Sequence, residues 1–244
     1  MTASIYSNYD PLMTHQSGSR LAASSQSFTS VAAVVVISIG CIVLVGWALD
    51  IASLKSVLPG LVTMKANTAL GFVLSGTSLL LATKPVTHKI RLIRQLCTLA
   101  VIGLGLTTLS QYLFDWNLGL DQLLFIDDPQ PVGTSNPGRM SPLTASSFAL
   151  VGFALWLVGA TRTAATQAHL IQFFALSASL ICTQALIAYL YQVRPIIGLV
   201  AYTQMAVHTA VSFLVLCAGL VFARPNQGLM RVSYSQHCRG SHSP

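Results

Sequence analysis

Six stretches of the chain run through apolar and small residues with no Asp, Glu, Lys or Arg: Val31 to Leu49, Ala66 to Ala82, Leu96 to Phe114, Leu143 to Ala160, Leu170 to Leu190 and Ala206 to Ala223. At 1.5 Å of rise per residue, each is long enough to be a helix crossing about 30 Å of hydrocarbon. Charged and turn-forming residues collect between these windows. The pattern predicts an all-α integral membrane protein with six transmembrane helices. It also predicts a disordered polar tail over 1–27, a membrane domain over 28–225 and a second polar tail over 226–244.

A nine-residue pattern opens three of the helices: Met64 to Phe72, Met140 to Phe148 and Met205 to Phe213. Each reads Met, any three residues, Thr-Ala, any two residues, Phe. Residues four apart stack on one helix face, and the small Ala beside the Thr leaves room for a neighbouring backbone. With a basic residue or Pro closing each run, the chain reads as one helical hairpin repeated three times. A second pattern ends the preceding helices. Trp47-x-x-Asp50 matches Tyr112-x-x-Asp115, and Tyr189-x-x-Gln192 repeats it without the acid.

Only 8% of residues are charged while 53% are hydrophobic, where a soluble domain carries roughly 25% charged. The formal charge of +7 is spread over helix ends and does not gather on one face, so nucleic acid is not an implied partner. With the N-terminus in the cytoplasm, nine basic residues lie inside (Arg20, Lys84, Lys89, Arg91, Arg94, Arg162, Arg224, Arg231 and Arg239). Four lie outside: Lys55, Lys65, Arg139 and Arg194. This asymmetry places both termini in the cytoplasm. The tail before Ser27 has no apolar stretch of its own, so the first span acts as an uncleaved anchor. The five cysteines have no ligand-like spacing and read as small hydrophobes.

The segment from Asp115 to Arg139 is the longest loop. Leu118 to Ile126 has enough apolar residues for a short interfacial helix, and Asp128 to Gly138 reads as turns. Its aspartates miss the calcium-loop spacing and read as solvated. In this topology the three openings start at the outer face. Met64, Asn67, Thr68, Arg139, Met140, Thr144, Met205, His208 and Thr209 then form a candidate polar pocket under the outer loops. Helix N-termini and nearby Lys65, Arg139 and Arg194 suit an anionic or carbonyl-bearing ligand. The bland alternative is that the Thr and Asn residues cap helices or bond across them. Met205 and His208, three apart, resemble half of a Cu(I) or haem site, but without a second His a hydrogen-bonded structural histidine is the better reading. No cofactor and no metal is implied.

Several activities are argued against by the residues present. No span holds the Lys a retinal Schiff base needs, nor the carboxylate of an ordinary proton pump. The chain has no Walker loop, zinc-protease His-Glu pair or Gly-x-Ser-x-Gly elbow, and it contains no Glu at all. No catalytic residue is assigned and enzymatic activity is not expected.

Four segments in order carry a family resemblance: Pro59-Gly60-Leu61-Val62-Thr63-Met64-Lys65-Ala66-Asn67-Thr68-Ala69, Leu118 to Phe125, Gly138 to Ala145, and Met205 to Ala210. Together they resemble the N-terminal multi-pass membrane sensor module of bacterial PAS-containing sensor histidine kinases and diguanylate cyclases, over roughly Val31 to Gly228. The resemblance implies a signal-input domain of a two-component or related signal-transduction protein in the bacterial inner membrane. Its partners would be the lipid bilayer, a small outer-face ligand, and a second copy or a signalling protein. Those relatives continue into PAS, kinase or cyclase domains, whereas Asn226 to Pro244 carries no phosphoacceptor, ATP-lid or cyclase motif. A truncated sensor kinase and a stand-alone input module both fit. A small transporter or channel subunit is the rival reading, since repeated hairpins also build permeation paths.

Overall fold

The computed structural model describes residues 11–56, 61–127, 136–160, 165–191 and 204–223. They form seven helices and, among the described residues, no strand. The helices are α1 (Pro11–Ala48), α2 (Ala52–Lys55), α3 (Ala66–Ala82), α4 (His88–Leu113), α5 (Pro142–Gly159), α6 (Ala165–Leu190) and α7 (Val207–Phe222). Four stretches are long and apolar enough to cross a membrane: Ser24–Ala48 in α1, His88–Leu113, Pro142–Gly159 and Thr166–Leu190. The other two apolar helices are shorter, with α3 at 17 residues and α7 at 16.

The long helices pack in chain order. α1 lies along α3, α3 along α4, α4 along α5, α5 along α6 and α6 along α7, and α7 returns to α1 to close a ring. α3, α5 and α7 also touch one another across its middle. Burial follows this division: 56% of the spanning window of α5 is buried, against 28–33% in α1, α4 and α6. The outer helices present Val31, Val34, Ile42, Leu96, Leu99, Phe173 and Leu180 outward. Lipid is the solvent such a surface suits, because a helix satisfies its backbone groups internally and shows the bilayer only apolar side chains.

Close helix approach is set by small residues. A Cβ on Gly40 of α1 would stand 2.7 Å from the carbonyl oxygen of Ala69, and one on Gly105 of α4 would stand 2.8 Å from that of Ala145. Both alanines follow the threonine of a Met-Thr-Phe opening, so the same contact joins α1 to α3 and α4 to α5. Without strong hydrophobic drive in lipid, such backbone-to-backbone approach supplies much of the attraction between helices.

At the opposite end, the final carbonyls of the inner helices are satisfied by side chains from the outer ones. Gln26 of α1 donates to Thr83 O at 2.6 Å, and Ser25 donates to Phe222 O at 2.7 Å. Arg94 of α4 donates to Gly159 O at 2.9 Å, and Gln167 of α6 donates to Leu157 O. These bonds answer the orphan acceptors that every helix C-terminus leaves. They involve residues within the 1–27 segment that the sequence reads as a polar tail. α1 reaches back to Pro11, and the polar residues read as an unpacked tail include the ones that cap α3 and α7.

Candidate functional site

Each Met-Thr-Phe opening starts its helix two residues after the methionine, at Ala66, Pro142 and Val207. The backbone registers agree: Ala69 N–H donates to Lys65 O at 3.0 Å, Ala145 to Ser141 O at 3.0 Å, and Ala210 to Ala206 O at 3.1 Å. Ser141 adds a side-chain cap, accepting from Thr144 N–H, while the side-chain oxygen of Asn67 accepts from Thr68 N–H at 2.7 Å. A side-chain N-cap is therefore present in one of the three openings, at Ser141, while Lys65 and Ala206 begin the other two helices with no side-chain cap.

One turn further on, the three phenylalanines meet. Ring centroids of Phe72 and Phe148 are 5.2 Å apart, those of Phe72 and Phe213 are 4.7 Å apart, and those of Phe148 and Phe213 are 4.7 Å apart. All three are fully buried, and Met64, Met140 and Met205 are each 1% exposed. The two pairs that include Phe213 are edge-to-face, a geometry favourable beyond the area buried, and the Phe72–Phe148 pair is tilted. The cluster fills the middle of the bundle. Above it Thr68, Thr144 and Thr209, all buried, line one cavity with Met64, Lys65, Arg139, Met140 and Ser141. Its volume is about 10 Å³, room for about one water molecule.

The structure thus brings Met64, Thr68, Arg139, Met140, Thr144, Met205 and Thr209 to one end of the bundle core. Asn67 stands at the rim, 7% exposed, and donates to Gly138 O at 3.2 Å. His208 is not among the residues lining the cavity. Both of its ring nitrogens are buried without a hydrogen-bond partner among the described residues, where the sequence suggested a hydrogen-bonded histidine. Arg194, the third outer cation, lies outside the described residues.

The long loop differs most from expectation. Leu118 to Ile126 forms turns and irregular backbone where a short helix was expected, and two of its acids are buried where solvated acids were expected. Asp121 pairs with Arg139 at 2.8 Å, and Asp127 pairs with Lys65 at 2.5 Å; all four side chains are at most 8% exposed. Gln111 of α4 donates to Asp121 at 3.0 Å and accepts from Leu118 N–H at 3.1 Å. Asp127 accepts from Gly138 N–H at 2.8 Å. Arg139 also sits over the Tyr112 ring, 5.4 Å from its centroid. Bonds at both ends of the segment fix its path, and a regular helix there would withdraw the carboxylates from two buried cations. The two ion pairs tie Asp121 and Asp127 to Arg139 and Lys65, which line the cavity.

The helix-end aromatics are structural parts of the same region. Trp47 Nε1 donates to Met64 O at 2.9 Å, and Tyr112 Oη donates to Met140 O at 3.1 Å. Trp47, an interfacial residue by type, is only 8% exposed, with Lys55 4.5 Å above its ring and Phe125 of the loop beside it. The third member, Tyr189, has a buried hydroxyl with no partner among the described residues. Asp50 and Asp115, which end the two helices, both adopt left-handed backbone, with φ of 55° and 51°. Lys55 bonds the exposed Asp50 carboxylate and holds it below the ordinary carboxylate range.

Sequence reasoning missed Gln111, Asp121 and Asp127 as parts of the site. The repeated aromatic-x-x-Asp pattern was the available signal for the region, but nothing in the spacing of the loop acids shows which cations they reach. Among the cysteines, Cys182 and Cys217 are buried, Cys97 is half-buried and Cys41 is exposed on the outer surface of α1. Among the described residues no group of three His, Cys, Asp or Glu side chains gathers to hold a metal. Comparison with profiles of known protein families, with curated proteins and with solved structures finds no match to this chain.

Proposed function

We propose that this chain is a membrane-embedded signal-input domain whose outer-face site is the lidded cavity beneath Asp121 and Asp127. In this reading six helices span the bacterial inner membrane as three repeated hairpins, α1 with α3, α4 with α5 and α6 with α7, with both termini in the cytoplasm. The observation that carries it is the meeting of Phe72, Phe148 and Phe213 beneath Thr68, Thr144 and Thr209. Three helices that share one core at their outer ends cannot shift independently, so a disturbance at the lid reaches all three.

The four sequence segments that resemble sensor modules support an input role, and output would come from a second copy or a separate signalling protein. A ligand would displace the lid carboxylates from Lys65 and Arg139, which favours a small anion. It shifts the packing only by its difference in affinity for the closed and open arrangements. The rival permeation reading draws little support, because the phenylalanine cluster blocks the axis where a path would run.

Spin labels at residues 83 and 223, on the inner ends of α3 and α7, test the proposal in the full chain reconstituted in vesicles. Small carboxylate and phosphate anions added on the outer side are expected to change the distance distribution, and Lys65→Met with Arg139→Met to abolish the response. An unchanged distribution across both anion classes, or a response that survives the double substitution, would overturn the assignment.

A further inference from the structure

A second cavity lies at the other end of the bundle, between the first turns of α4 and the last turn of α5. Its volume is about 150 Å³, and Arg94, Gln95, Thr98, Leu155, Trp156 and Gly159 line it. One wall is polar, from α4, and the other is apolar, from α5. Arg94 is 7% exposed and donates to Gly159 O at 2.9 Å. The position has been kept open for it, since a Cβ on Gly159 would lie 3.0 Å from the guanidinium Nη2. Thr98, also buried, is held by Ser78 at 2.8 Å.

Around the cavity the outer surface is of two kinds. Leu92, Ile93 and Leu96 of α4 and Trp156 of α5 are exposed large apolar residues, while His88, Lys89 and Arg91 open α4 just before its three. An apolar surface giving way within two turns to a basic helix start is the profile of a membrane boundary, and a half-exposed Trp is favoured there. The cavity therefore sits at headgroup depth. A planar guanidinium matches phosphate geometry, and the Leu155–Trp156 wall matches an acyl chain leaving it.

We propose that this cavity binds the phosphate of an anionic phospholipid headgroup, with Arg94 as the phosphate ligand and Trp156 against the glycerol and first acyl carbons. The site is independent of the outer-face reading: it lies at the opposite end of the helices and uses none of the same residues. Occupancy ties the start of α4 to the end of α5 through a lipid, adding a contact that the bare chain lacks.

The test is native mass spectrometry of the full chain from micelles, titrated with phosphatidylglycerol, with phosphatidylcholine, or with inorganic phosphate. Phosphatidylglycerol should be retained roughly fivefold more strongly than phosphatidylcholine, the scale of one basic residue meeting an anionic headgroup. Arg94→Gln and Gly159→Ala should remove that preference, and Arg91→Gln, at an exposed position, should keep it. Equal retention by the parent and Arg94→Gln would overturn the site, and so would binding of inorganic phosphate with no headgroup preference. If Arg94→Gln fails to fold, Trp fluorescence of the parent decides. Quenching by brominated phosphatidylglycerol should exceed that by brominated phosphatidylcholine, with the excess lost in Trp156→Phe; equal quenching by the two lipids overturns the proposal.

Discussion

Trp47 donates its indole N–H to the carbonyl oxygen of Met64 at 2.9 Å, tying the last turn of α1 to the residue that leads into α3. Tyr112 does the same for Met140 at 3.1 Å, whereas the corresponding Tyr189 hydroxyl is buried with no partner among the described residues. Removing each donor should therefore have unequal effects. Trp47→Phe and Tyr112→Phe leave a carbonyl unpaired and should cost about 1–2 kcal/mol. Tyr189→Phe should be neutral or slightly stabilising, since its hydroxyl is desolvated without return. Thermal melting of the three variants in one detergent checks the ordering.

The ion pairs under the lid are buried on both sides, so breaking one is costlier than deleting both partners. Asp121→Asn strands Arg139 and should destabilise by about 3–5 kcal/mol, while Asp121→Leu with Arg139→Met should recover most of that loss. The same comparison holds for Asp127 and Lys65. A double-mutant cycle from chemical unfolding measures the coupling, and an additive result would remove the lid pairs from the account.

Glycine position separates contact from flexibility. Gly105→Ala forces a Cβ to within 2.7 Å of Ala149 N and should cost about 1–3 kcal/mol. Gly103, two residues away in the same helix, has nothing within 4 Å of where a methyl would stand, so Gly103→Ala should gain up to about 1 kcal/mol from helix propensity. The pair can be compared in a single melting experiment.

Asp50 makes a pH prediction. Its folded carboxyl titrates lower than the unfolded one, because Lys55 bonds it. Its contribution is complete above the unfolded value of about 4 and disappears as pH falls through the folded value. Exposure keeps the effect small. Asn tolerates the left-handed backbone at this position as well as Asp does. The parent should therefore melt slightly above Asp50→Asn at pH 7, and the two should converge in acid or in about 1 M salt.

Helix starts were legible in the sequence because Met, Thr and Phe at four-residue spacing fix both a face and a register. The aromatic helix ends left a mark of the same kind. The lid was not legible, since Asp121 and Asp127 find their cations across 18 and 62 residues of chain. The polar residues near Ser25 misled for a related reason: a serine that caps a distant carbonyl has the same composition as one in a solvated tail. Local pattern records what a segment does to itself, and these residues act on other segments.

The inner helices are short and the outer ones long, and this difference bears on how the protein meets its bilayer. At 1.5 Å per residue, the 16 residues of α7 rise about 24 Å, and the 26 of α4 about 39 Å. The longer set carries most of the exposed large apolar residues, and its excess over about 30 Å of hydrocarbon is made of polar turns such as His88 to Arg91 of α4. Trp47 and Tyr112 therefore join a long helix to the residue that leads into a short one, so the two helix lengths are matched at that end of the bundle and differ at the other.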